Sequence, residues 1–277
     1  MVSIRKSGGV RFLHLVGYHH VLMGITIFPI IFASILVAGC TSTDLSNVYL
    51  LSLSYNTVGN NGTSYLDPTQ VNENMASTIS HVVGTNASYP SLEVRTGYLG
   101  MCLKQATDLW ICARSAEALA SLVKSRAGNS SHNDPLNLIW TAKTFKDKLV
   151  FNGFIFASIP LLLVCILILA VFPNWLEDPD EEDQYIKPFP PARLVKVLMV
   201  LTPITSLLAL LSAFWQHISS SAGVTMVEIL SYGTVTGNIG VAAMVLGWGS
   251  LVAVGLATLG IISMHLSIKI LQRLTDE

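Results

Sequence analysis

Cys102 and Cys112 stand ten positions apart in the stretch GYLGMCLKQATDLWICA, and the chain has only two further cysteines, Cys40 and Cys165. Two thiols at that separation can close a disulfide where the compartment is oxidising, or supply half of a metal site. Zinc would need four ligands, or three and a water. No C-x-x-C pair or neighbouring histidine completes such a set, since His81 and His132 are distant in sequence. A second chemistry is marked by Asn61, Asn86 and Asn129, each of which opens an N-x-S/T glycosylation acceptor. Both chemistries depend on which side of a membrane these residues occupy.

Catalytic patterns are not found. H-E-x-x-H, G-x-S-x-G and Walker sequences are missing, and no cofactor is expected. Asp44, Asp67, Glu73, Glu93, Asp108, Glu117, Asp134, Asp147 and Glu228 lack the spacing of a calcium loop, and calcium wants six to eight oxygens. His14, His19 and His20 cluster ahead of an apolar run and suit an interface better than a metal. The net charge of -1 has no basic cluster behind it, so nucleic acid is not an expected partner.

The elements that must position these residues are membrane spans. Hydrophobic residues make up 51% of the 277 and charged ones only 12%, half the usual share of a soluble domain. Four apolar runs, at 20–39, 149–172, 194–215 and 239–266, each reach the roughly 20 residues that cross a hydrocarbon core. Acidic and basic residues are absent from their interiors, which argues against a pump or coupled transporter. The end of the first run, Val37-Ala38-Gly39-Cys40, also fits a lipoprotein cleavage box. A long preceding leader and three further spans favour a retained helix.

Short loops orient such a chain through their Lys and Arg content. The tail 1–19 carries Arg5, Lys6 and Arg11, the loop 173–193 carries Lys187 and Arg193, and the tail 267–277 carries Lys269 and Arg273. The loop 216–238 has none. Both termini and 173–193 are therefore expected in the cytoplasm, with 40–148 and 216–238 outside. All three sequons fall in 40–148, as do Cys102 and Cys112, so a local disulfide is the expected state of the pair.

Within 40–148, residues 47–55 read as a strand and 56–91 as a polar glycosylated insert. Residues 92–103 and 108–113 read as two strands of a hairpin stapled by the cysteines. Ala116, Leu119, Ala120 and Val123 recur with helical spacing. Asp134-Pro135 signals a helix start, from which a helix is expected to run through Trp140 into the second span. Trp110 and Trp140 suit packing or interfacial anchoring.

In the fourth run, Gly249, Ala253 and Ala257 recur every four residues, a spacing that serves close packing within the bundle or a dimer seam. In 173–193 an acidic run precedes Lys187-Pro188-Phe189-Pro190-Pro191, a solvated surface or a docking peptide.

Gly97, then Cys102 five residues on, then Cys112 ten further, resembles the claudin-like superfamily, whose members carry Gly-Leu-Trp and two cysteines at these separations. Leu99 stands in place of the motif tryptophan, so paracellular sealing is not carried over. The fuller pattern of Gly97, Tyr98, Gly100 and Cys102 with Trp110 and Cys112 is similar to a fungal branch, the pheromone-induced calcium-regulator and membrane-fusion family. The likeness covers most of residues 15–268. It implies a claudin-like left-handed four-helix transmembrane bundle with a small disulfide-stapled β-rich extracellular domain. It further implies a plasma-membrane regulator of low-affinity calcium influx and cell fusion in mating, acting as a scaffold or channel-associated subunit. Ca2+ would be the regulated ion, with a channel, the fusion machinery or a second copy as partner. The competing reading is a structural organiser of a fungal membrane microdomain, with no role in ion flux.

Overall fold

The computed structural model describes residues 18–55, 92–104, 109–127, 134, 136–172, 192–232 and 234–275. Among the described residues, four helices are long and apolar enough to cross a membrane. They are α1 (Tyr18–Val37), α4 (Gly153–Ala170), α5 (Ala192–Leu230) and α6 (Val241–Thr275). The described residues fall into two compact units.

The first unit takes its residues from Met1–Phe32, Phe154–Leu210 and Gly249–Glu277. Leu22, Cys165, Leu169, Leu198 and Ile261, one or two from each long helix, meet in a single buried cluster. Leu163, Leu167, Val171, Val200 and Leu256 are exposed instead, as aliphatic side chains facing lipid must be. Hydroxyls buried here bond back to their own helices: Thr26 donates to Leu22 O (2.7 Å), Thr202 to Leu198 O (2.9 Å) and Thr205 to Leu201 O (2.8 Å). That leaves no donor stranded in an apolar medium.

The second unit takes its residues from Ala33–Gly153 and Leu211–Trp248. It holds a five-stranded antiparallel sheet of β1 (Leu51–Tyr55), β2 (Glu93–Thr96), β3 (Met101–Lys104), β4 (Trp110–Ala113) and β5 (Val235–Ile239), in the order β4-β3-β2-β1-β5. Side chains alternate across a sheet, and the register divides them into two faces. Leu51, Leu53, Val94, Met101 and Leu103 lie on one face, nearly or wholly inaccessible. Helices α2 (Ala116–Ala127) and α3 (Leu138–Lys148) cover that face, α3 against β1 and β2 and α2 against β4. Each fully buried Leu contributes roughly 1.5–3 kcal/mol. The opposite face carries Ser52, Ser54, Glu93, Arg95, Cys102, Trp110 and Cys112.

Three elements differ from the sequence expectation. Residues 92–103 do not form one strand, because the chain reverses at Gly97–Gly100 to give β2 and β3. Gly97 N donates to Gly100 O (2.9 Å) across this turn. A Cβ on Gly97 would lie 2.4 Å from Gly39 O, and one on Gly100 2.0 Å from Cys40 O, so both positions must be bare.

Nor does one helix run from Asp134 into the second span. Asn137 has φ 52, which delays α3 to Leu138, while the Asp134 carboxylate accepts from Leu138 N (2.8 Å) and Ile139 N (3.4 Å). The helix then stops at Lys148, where Trp215 Nε1 donates to Leu149 O (2.9 Å), and α4 starts at Gly153.

The helix of the third apolar run does not end near Trp215. It runs on to Leu230, deep into 216–238, and that segment also supplies β5, paired with β1. The serines that make 216–225 read as loop bond to helix carbonyls: Ser219 to Gln216 O (3.2 Å) and Ser221 to His217 O (2.9 Å).

Candidate functional site

The polar face of the sheet is organised around Arg95. From mid-β2 its Nε donates to Glu93 Oε1 (2.8 Å), two residues back on the same face. Its Nη1 donates to Ser46 O (3.1 Å) and Asn47 Oδ1 (2.9 Å), which lie on the segment leading into β1. The guanidinium carbon stands 4.0 Å from the Trp110 ring centroid and 4.6 Å from that of Tyr49. A planar cation between two aromatic faces gains from both. Ser52 Oγ adds a second donor to Glu93 Oε1 (2.8 Å).

Cys102 and Cys112 lie directly opposite each other on β3 and β4 and form a disulfide. Cys102 is fully buried, its sulfur 3.6 Å from Cys40 O. The bridge locks β4, and with it Trp110, onto β3, which lies beside the strand that carries Arg95. Cys40 and Cys165 are free and buried. Burial pushes the Cys40 thiol up to about 12, with Arg95 opposing it, so this thiol is a poor nucleophile and does not compete for the bridge.

Tyr98 leaves the Gly97–Gly100 turn for the interior. Its hydroxyl donates to Gln216 Oε1 (3.3 Å) on α5, and Gln216 Nε2 donates to Ala243 O (2.8 Å) at the start of α6. Burial raises the phenol to about 12, against a lowering hydrogen bond with Ser212. The two covering helices are tied by an ion pair of Glu117 with Lys143. The Lys143 ammonium, then the Ser115 hydroxyl, hold Glu117 down at about 2.

The structure thus brings Cys102, Cys112 and Trp110 together on one face, sets Gly97 and Gly100 in the tight turn, and buries Tyr98 beneath it. Gly249 and Ala257 lie on α6 in the helical unit. A Cβ on Gly249 would be 3.5 Å from the Phe32 ring of α1, and Ala257 is buried. Nearby, Ser250 Oγ donates to Pro29 O (3.5 Å), so α1 of the same chain occupies this region. Ala253, between them on α6, is partly buried. Asn61, Asn86 and Asn129 lie outside the described residues, as does the acidic and proline-rich segment 173–191.

Arg95, Glu93, Tyr49 and Gln216 were missed in the sequence. The one signal for the first two was Glu-x-Arg inside a β-rich run, a spacing that puts opposite charges on the same face. For Gln216 it was a lone amide at the end of an apolar run.

Four apolar helices and a disulfide-stapled antiparallel sheet define a polytopic membrane protein with a small β-rich unit. The profile of the family described as Ca2+ regulator and membrane fusion protein Fig1 matches residues 78–267, from ahead of β2 through most of α6, and the chain belongs to that family. No curated relative matches it.

Proposed function

We propose that the protein regulates calcium entry and cell fusion at the plasma membrane of mating fungal cells, as a non-catalytic scaffold of claudin-like architecture. Both termini face the cytoplasm and the sheet unit faces outward, where its sugars sit at Asn61, Asn86 and Asn129. The observation that carries the reading is the polar sheet face, held rigid by the Cys102–Cys112 bridge and by Arg95 between Tyr49 and Trp110. A surface of that kind costs little ordering entropy when a partner docks. The family's description supplies the processes in which such docking would act.

Deletion of the protein in mating cells tests it. Calcium uptake at plentiful external calcium should fall, and fusion of paired cells with it. Purified protein in liposomes should conduct no calcium by itself. Unaltered uptake and fusion in the deletion strain reject the proposal in favour of a microdomain organiser.

A further inference from the structure

Beneath the sheet, a set of neutral polar side chains converges between β2 and α5. Tyr98 reaches Gln216, and a Cβ on Gly223 would lie 3.6 Å from Leu51 Cδ2. Leu51 is the direct cross-strand partner of Thr96, which sits two residues before Tyr98. Gln216, Ser220 and Gly223 recur at i, i+4 and i+7 on one face of α5, so Ser220 lies between the two contacts on that face. Ser219 and Ser220 are both buried there, and Thr96 and Ser220 are fully inaccessible.

The polar accounting does not close. Gln216 Oε1 and Nε2 are both engaged, and Ser219 Oγ donates to Gln216 O. Thr96 Oγ1 and Ser220 Oγ have no partner among the described residues. In the helical unit Thr26, Thr202 and Thr205 bond back to their own helices, but Thr96 and Ser220 do not. An unmade hydroxyl bond in a buried site costs on the order of 1–3 kcal/mol, and two such losses on elements joined by the Tyr98–Gln216 bond point to a shared ligand.

We propose that Thr96 and Ser220 hold an ordered water between β2 and α5, as a built-in bridge from the sheet to the helix. A buried water needs two to four polar partners, which these hydroxyls and their neighbours supply. A divalent cation is disfavoured by the donor set. The cluster consists of hydroxyls and one amide without a carboxylate, whereas calcium takes six to eight oxygens and favours acidic ones. The bridge sits directly behind the turn that carries Tyr98, so it helps fix the rear of the sheet whose front is the polar face.

The test is a double-mutant cycle on the full chain in detergent, with Thr96→Val, Ser220→Ala and the pair, read as thermal midpoint. The cycle cancels the helix propensity gained by alanine. With a bridging water, T96V lowers the midpoint by about 2–4 °C in the parent and by much less in the S220A background. With dry hydroxyls, T96V raises the midpoint, or shifts it equally in both backgrounds, and either result overturns the proposal. If T96V does not fold, Thr96→Ala serves in the same cycle, and equal shifts again overturn it. Calcium or sodium chloride is also titrated into parent and S220A. A midpoint rise with either cation in the parent that S220A abolishes replaces the water with a cation.

Discussion

The Arg95 guanidinium packs 4.0 Å from the Trp110 ring centroid across two strands, so the outermost strand β4 is tied to β2 by a cation–aromatic contact as well as by the disulfide. Removing Trp110 as W110A should cost about 1–2 kcal/mol of stability, with W110F recovering part of it. Arg95→Lys should not substitute, because lysine lacks the planar fork that reaches Glu93, Ser46 and Asn47 together. Thermal unfolding of the purified variants measures both. Equal midpoints for R95K and the parent would show that the planar fork adds no stability.

The disulfide should contribute roughly 3 kcal/mol in the chain-entropy model. Cys102→Ser and Cys112→Ser should each retain the protein in the endoplasmic reticulum, and the double variant should be no worse than either. Cys40→Ala should leave the bridge intact, since the Cys40 thiol is buried and its pKa is raised to about 12. Peptide mapping without reductant reads the pairing. Free thiols at 102 and 112 in surface protein would contradict it.

Much of this arrangement was legible in the sequence, and the gaps have physical causes. Apolar runs longer than a bilayer is thick leave few alternatives, which is why the four long helices stand out. Cysteine spacing, read with the expected oxidising side, brought out the bridge. The break of 92–103 at Gly97 was hidden because glycine in a strand also suits a bulge, and only the close approach of Gly39 and Cys40 decides for a turn. The extension of α5 was hidden by Ser219-Ser220-Ser221, loop-forming in water yet helical where Ser219 and Ser221 bond back to the carbonyls of Gln216 and His217. Arg95 was hidden because its partners Tyr49 and Trp110 are distant along the chain and meet only in the folded sheet.

Gly97 and Gly100 should be the least tolerant positions of the turn. Alanine at 100 would place its Cβ 2.0 Å from the Cys40 carbonyl oxygen, and alanine at 97 would place it 2.4 Å from that of Gly39. A backbone carbonyl cannot swing aside as a long side chain can, so each substitution should cost about 1–3 kcal/mol or more. Leu99→Ala, at the exposed tip between them, should change little. Surface expression of G97A, G100A and L99A compares all three, and normal G100A would mean that the 38–41 segment yields.

The proposed orientation places sugar at Asn61, Asn86 or Asn129. Glycosidase should lower and sharpen the gel band, and Asn→Gln at all three should abolish that shift. In wall-free cells, external protease should reach residues 40–148 and spare 173–193. The reverse pattern would invert the topology.

Tyr98 gives the sheet unit a defined alkaline weakness. Its phenol is held at about 12 in the folded chain, mainly by burial, against about 10 for an exposed tyrosine. Between those values the unfolded chain has lost the proton while the folded chain keeps it. The folded state therefore binds more protons there, and stability must fall as pH rises. Below pH 10 the contribution is fully present; by pH 12 the loss reaches roughly 3 kcal/mol at most. Tyr98→Phe carries no proton to lose, so its stability should be flatter over that window than the parent's. At neutral pH the same variant should be weaker by about 1 kcal/mol, because Gln216 Oε1 loses its donor. Denaturation midpoints of parent and Y98F at neutral pH and across the alkaline window separate the two effects. Parallel alkaline declines for the two proteins would show that another group sets the limb.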